Sequence, residues 1–208
     1  LGLLLPVALV ARGAWRAILS AAVTTAVLAA LPTWLLGPGY WPRMLEMMSL
    51  HGETVRASIA ELTLMVSPYS AMAGIGVAET LALSVQWVIT AACAVAVFFV
   101  WRNRAISFDL RAATLLAAIP LASPYLWFYE SALLAPAALF MWRAGVLQVR
   151  PGPVVLGLLM WLGLAPPLLV LLGTGAGLEV FRLVFMPINL AALLACLRGT
   201  LPGRAPDG

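Results

Sequence analysis

The chain has 208 residues, of which 63% are hydrophobic and only 10% charged, with a mean hydropathy of +1.03. Water-soluble domains carry roughly 25% charged residues, so the composition excludes one and implies an all-α, polytopic integral membrane protein. All twelve basic residues are arginine, and no basic run interleaved with aromatics exists, which excludes a nucleic-acid partner.

Leu1–Ala11 reads as the tail of a first membrane segment ending at Arg12 and Arg16. The chain opens inside an apolar run, with neither an initiator Met nor a basic start and cleavage site. The expectation is a single transmembrane domain over 1–208 that forms the C-terminal part of a longer protein. A second segment, about Ala17–Leu36, is close to the roughly 20 residues that a span needs. Gly37-Pro38-Gly39 ends it, and Trp34, Tyr40 and Trp41 suit an interfacial belt.

Residues 37–76 are the one sizeable polar region and predict an extracytoplasmic amphipathic loop. Pro42 fits the first turn of a helix, with Trp41, Met44, Leu45 and Met48 on one face. After His51-Gly52, a second run sets Val55, Ile59, Leu62 and Val66 opposite Glu53, Arg56 and Glu61. Both read as short helices lying on the bilayer, broken at Ser67-Pro68 and Gly74-Ile75-Gly76. The third segment is Val77–Trp101 and the fourth Phe108–Ala122. An octet, Ser123-Pro124-Tyr125-Leu126-Trp127-Phe128-Tyr129-Glu130, leads into the fifth, Ser131–Trp142. Pro124 disfavours helix at Ser123 and makes the octet a turn. The sixth, Val154–Leu172, carries a predicted kink at Pro166-Pro167, and the seventh, Val180–Leu197, a break at Pro187. Gly173–Gly177 reads as a hairpin, since no strand precedes it and no Gly-Lys-Ser/Thr follows.

Alternating seven spans sorts the charges. Arg12, Arg16, Arg102, Arg104, Arg111, Arg143, Arg150, Arg198 and Arg204 share one side, the cytoplasm by the positive-inside rule. Glu46, Glu53, Glu61, Glu79, Glu130 and Glu179 share the other, joined only by Arg43, Arg56 and Arg182. The expectation is a multi-pass plasma-membrane protein with a cytoplasmic C-terminus and its site facing outside.

Several residues stand out within that frame. Glu130 starts the fifth segment beside Tyr125 and Tyr129, and an ionisable group at the membrane edge is a functional candidate, or a carboxylate placed for the helix dipole. His51, the single histidine, could act as acid or base, or be an exposed loop residue. Gln86 is expected to bond a neighbouring helix, and Ala92-x-x-x-Ala96 is a weak packing signal. Cys93 and Cys196 read as small buried thiols. No cofactor or metal site is expected.

The order of features resembles the C-terminal half of glycosyltransferase family 87. The features are Arg12-x-x-Trp15-Arg16-Ala17, the Gly37-Pro38-x-x-Trp41 exit to an outer loop, an arginine-flanked helix, and the Ser123-Pro124-Tyr125-x-x-x-Tyr129-acid turn. The family usually has aspartates on either side of the second tyrosine, where this chain has Phe128 and Glu130. The resemblance implies a GT-C membrane enzyme that transfers a hexose, typically mannose, from a polyprenyl-phosphate donor to a glycolipid or glycan acceptor outside the cell. It places the general base upstream of this chain, and so names no catalytic residue here. Glu130, Tyr125, Tyr129, His51, Arg56 and Arg43 are the expected substrate-binding residues, with Arg43, Arg56 and Arg182 as candidates for the phosphate. The alternative readings are a transporter or flippase core, suggested by Pro120, Pro136, Pro166-Pro167 and Pro187, and a non-catalytic membrane partner.

Overall fold

The computed structural model describes residues 2–57, 64–147, 152–171 and 178–201. The described residues are helical apart from short connections, with one isolated antiparallel bridge between Met65 and Trp127. Helix α1 (Leu4–Arg12) stops at Gly13, whose left-handed φ of 68° lets the chain turn while its N–H caps the helix. Helices α2 (Trp15–Leu36) and α3 (Tyr40–Ala57) follow, then α4 (Pro68–Gly74), α5 (Glu79–Arg102) and α6 (Phe108–Ala122). A 3₁₀ helix (Phe128–Leu133) runs into α7 (Leu134–Arg143), and α8 (Gly152–Leu171) and α9 (Leu178–Gly199) complete the order.

Helix α6 is the hub. Eleven of its fifteen residues are buried, and it packs against α1, α5, α7, α9 and the 3₁₀ helix. Its alanines (Ala112, Ala113, Ala117, Ala118 and Ala122) and those of α7 (Ala135, Ala137 and Ala138) are buried, which lets the backbones approach closely. Lipid offers no hydrophobic force between helices, so close packing and interhelical hydrogen bonds hold such a bundle together.

The bundle has two chemically distinct ends. At one, Arg143 on α7 pairs with Asp109 on α6 at 3.3 Å. Trp101 at the end of α5 donates from Nε1 to the Arg111 carbonyl at 3.1 Å. A side chain at Gly199 on α9 would meet Val146 at 3.3 Å and Leu110 at 3.6 Å. Arg102, Arg111, Arg143 and Arg198 therefore gather where α5, α7 and α9 end and α6 begins. The octet, Glu130 and the N-terminus of α5 with Glu79 lie at the other end. Among the described residues, two helices are long and apolar enough to cross a bilayer, Trp15–Leu36 and Glu79–Arg102, with mean hydropathies of 1.8 and 2.2.

Several local expectations are corrected. The helix α3 continues through His51-Gly52 instead of stopping there, a glycine cost of about 1 kcal/mol that helix continuity absorbs. Val66 lies in an extended strand of chain, not a helix, because its N–H bonds the octet. Ser67-Pro68 begins a helix: Ser67 is the N-cap of α4 and Pro68 occupies its first turn. Helix α9 runs unbroken through Pro187 and α6 through Pro120, and α8 spans Pro166-Pro167 as one helix. The helix assignment thus continues through these prolines. Ala92 is exposed, and α5 instead packs through Ala82, Gln86, Cys93, Val97 and Val100. Cys93 and Cys196 are buried free thiols, as expected. Ile59, Leu62, Glu61, Arg150, Arg204 and the Gly173–Gly177 hairpin lie outside the described residues.

Candidate functional site

The octet is held by α5 and by residues 64–70. Pro124 keeps Ser123 extended, at φ −93° and ψ 119°, which ends α6. The last carbonyls of a helix lack partners within it, and α5 supplies them. Gln86 Nε2 donates to the Leu121 carbonyl at 2.9 Å, and the Thr90 hydroxyl to the Ala122 carbonyl at 2.8 Å. The Gln86 Oε1 accepts the Tyr69 N–H at 2.9 Å, so one side chain joins three elements. Gln86 bonds its neighbours as the sequence suggested.

Residues 64–66 then pair with the octet as a short antiparallel ladder. Val66 N–H donates to the Leu126 carbonyl at 2.7 Å, and Phe128 N–H to the Leu64 carbonyl at 2.9 Å. The Ser67 hydroxyl donates to the Pro124 carbonyl at 2.5 Å. Ser67 and Ser70 cap each other reciprocally at 3.0 Å, each backbone N–H donating to the other's hydroxyl. Ser67, Ser70, Met65, Val66 and Leu126 are all buried, which makes this end of the fold rigid. The tripeptide Ser-Pro-Tyr occurs twice, at 67–69 and 123–125, and the two copies meet. The Tyr69 and Tyr125 rings pack edge to face with centroids 5.8 Å apart. That repetition was the available signal for the partnership of Ser67, Tyr69 and Ser70 with the octet, and the linear reading missed it, along with the role of Thr90.

An exposed aromatic face lies on this scaffold. Tyr125 is 41% and Tyr129 53% exposed, while Trp127 and Phe128 are half-buried. The Trp127 and Tyr129 rings are nearly parallel, 12° between planes and 6.5 Å between centroids, and Phe128 meets Tyr129 edge-on at 5.3 Å. Glu130, also half-buried, sits within the 3₁₀ helix, three residues after its N-cap, and not at the start of an α-helix. Its Oε2 accepts the Trp127 N–H at 2.8 Å, and its own N–H donates to the Trp127 carbonyl at 2.9 Å. This is the carboxylate half of a capping box; the indole of Trp127 has no acceptor with which to complete the other half. One carboxylate oxygen fixes the turn, and Oε1 makes no hydrogen bond among the described residues. Ser131, the next residue, donates to the Gly163 carbonyl of α8 at 2.9 Å and anchors the 3₁₀ helix from behind.

The remaining predicted residues sit elsewhere. Arg43 and His51 are exposed on α3, and Arg56 falls in its last turn with its side chain outside the described residues, as is that of Arg182 on α9. Among the described residues, the extended contact of α3 is with α2, where Trp41 Nε1 donates to the Thr33 hydroxyl at 2.7 Å. The structure thus brings Tyr125, Tyr129 and Glu130 together, while Arg43 and His51 are exposed on α3. Among the described residues, no group of three His, Cys, Asp or Glu side chains could hold a metal ion.

Chemically, the octet offers flat apolar faces beside a carboxylate oriented by the main chain, an arrangement suited to a polyhydroxylated ring. No curated protein and no solved structure matches the chain. The family model of glycosyltransferase family 87 matches residues 1–124 of the 208, from α1 into the octet at Pro124. The chain belongs to glycosyltransferase family 87, a family of membrane glycosyltransferases.

Proposed function

We propose that this chain is the membrane half of an enzyme that moves a hexose, in the first instance mannose, from a polyprenyl-phosphate donor to a glycolipid or glycan acceptor outside the plasma membrane. The supporting observation is the exposed face of Tyr125, Trp127 and Tyr129 beside Glu130, at the end of the bundle opposite its arginines. On this reading the arginine end is cytoplasmic, the C-terminus is inside, and the 37–76 loop and the octet face outward. The aromatic rings stack on the apolar face of the sugar, and Glu130 Oε1 accepts its hydroxyls. Arg43, Arg56 and Arg182 neutralise the donor phosphate, and His51 contacts donor or acceptor. A general base removes the acceptor hydroxyl proton. The resulting oxygen attacks the anomeric carbon, and polyprenyl phosphate leaves with the bonding electrons.

The test is transfer by full-length enzyme carrying Glu130→Gln, normalised to folded protein in membranes and assayed with mannosyl and glucosyl donors. The amide retains an oxygen for the Trp127 N–H, so the turn survives while the charge is lost. A ten-fold or greater fall in transfer is expected, on the order of 1.4 kcal/mol at the barrier. Near-wild-type transfer would reduce Glu130 to a cap for the 3₁₀ helix.

A further inference from the structure

The arginine end carries a charge imbalance that its own residues do not relieve. Arg111 lies in the first turns of α6, and only 7% of its surface is exposed. Its Nε and Nη1, and Nη1 of Arg12 at the end of α1, are buried with no hydrogen-bond partner among the described residues. Trp101 covers the Arg111 guanidinium, 5.8 Å from ring centroid to Cζ, which supplies a face but no acceptor. Asp109, the acid at this end among the described residues, is engaged by Arg143. Helices α1 and α6 touch, which sets the two like charges of Arg12 and Arg111 at the same end of the bundle. An uncompensated buried charge is destabilising, and the start of α6 adds the partial positive charge of its dipole. All of these contributions have one sign, and all are relieved by one anion.

We propose that Arg12 and Arg111 together bind a phosphate group, supplied by the headgroup of an anionic phospholipid at the arginine face of the membrane. Three nitrogens without partners on two guanidiniums call for several acceptor oxygens, which a phosphate supplies, and guanidinium is the side chain best suited to bind it. Basic pockets between helices at a membrane surface take lipid headgroups for this reason. The site lies at the opposite end of the bundle from the octet, and its occupant is held as a structural anion, not consumed.

The full-length protein in a maltoside detergent, titrated separately with phosphatidylglycerol and inorganic phosphate, tests this through Tm. Phosphatidylglycerol is expected to raise Tm saturably, and Arg111→Gln and Arg12→Gln each to raise the half-saturating lipid at least ten-fold. Arg12 is only half-buried, so its variant stays informative if Arg111→Gln fails to fold. A saturable rise with inorganic phosphate that both substitutions weaken supports the same two-arginine site and names the free ion as its source. No rise with either additive, or a rise that both variants retain, overturns the proposal; a carboxylate from elsewhere in the full-length chain that already pairs Arg111 would give that result.

Discussion

Helices α2 and α6 are nearly the same material put to opposite uses. Both are apolar and rich in alanine, and both carry a proline near the C-terminal end, Pro32 and Pro120. Yet no residue of α2 is buried, while eleven of fifteen in α6 are. The difference lies in where their last backbone groups find partners. Helix α2 closes on itself: the Thr33 hydroxyl donates to the Ala29 carbonyl at 2.9 Å, and Gly37 N–H to the Thr33 carbonyl at 3.0 Å. Trp41, eight residues on, completes the local set. Helix α6 depends on strangers, with Gln86 and Thr90 at its final carbonyls and Asn189 of α9 donating to the Ala117 carbonyl at 2.7 Å. In hydrocarbon an unpaired backbone group is costly. A helix whose last polar groups need neighbours is therefore fixed at the centre, and one whose end is closed by its own residues can lie at the periphery.

Substitutions at the two helices should separate accordingly. The largest expected effect is at Gln86→Leu, which strands the Tyr69 N–H and the Leu121 carbonyl in a buried setting. At about 1–3 kcal/mol for each unsatisfied group, the loss should be about 2–6 kcal/mol, read by unfolding of the full-length protein in mild detergent. A change under about 1 kcal/mol would mean that water reaches these groups, and would break the contrast with α2. Ser67→Ala removes the cap of α4 and the bond to Pro124 together. It should cost about 0.5–2 kcal/mol, and faster protease cleavage near residues 64–70 would locate the damage. At the other extreme, Leu28→Ala on α2, where Leu28 is 63% exposed, should change stability by under about 0.5 kcal/mol. A loss above 2 kcal/mol there would reveal a helix neighbour for α2 in the full-length protein.

The segment boundaries were legible because arginine, glycine and proline punctuate the apolar runs. Phe108–Ala122 was read residue for residue, and the Gly37-Pro38-Gly39 exit stands out by chemistry alone, whereas the capping Gly13 was not singled out. The centrality of α6 was not legible, since nothing in its composition distinguishes it from α2. Residues 64–66 misled for a related reason. Val66 continues the helical spacing of Val55, Ile59 and Leu62, and only a partner about sixty residues away turns it extended. Pro187 misled in the opposite sense: its missing N–H suggests a break, yet α9 absorbs it within a continuous helix. For the site, the aromatic octet and Glu130 could be found by their residue types. The scaffold beneath them could be found only by noticing that Ser-Pro-Tyr recurs.

The bond from Ser67 to Pro124 spans 57 residues of chain, and this separation has a consequence for biogenesis. At roughly 5–20 residues per second of synthesis, Pro124 is made about 3–11 s after Ser67. During that interval α5 and α6 must emerge and insert before the ladder can form. The reciprocal Ser67–Ser70 cap is local and needs none of them, so α4 can be shaped early and wait with its first turn satisfied. Docking of the octet is then a late closing step in assembly, and a ribosome pause between residues 70 and 124 would prolong the exposure of Met65 and Val66.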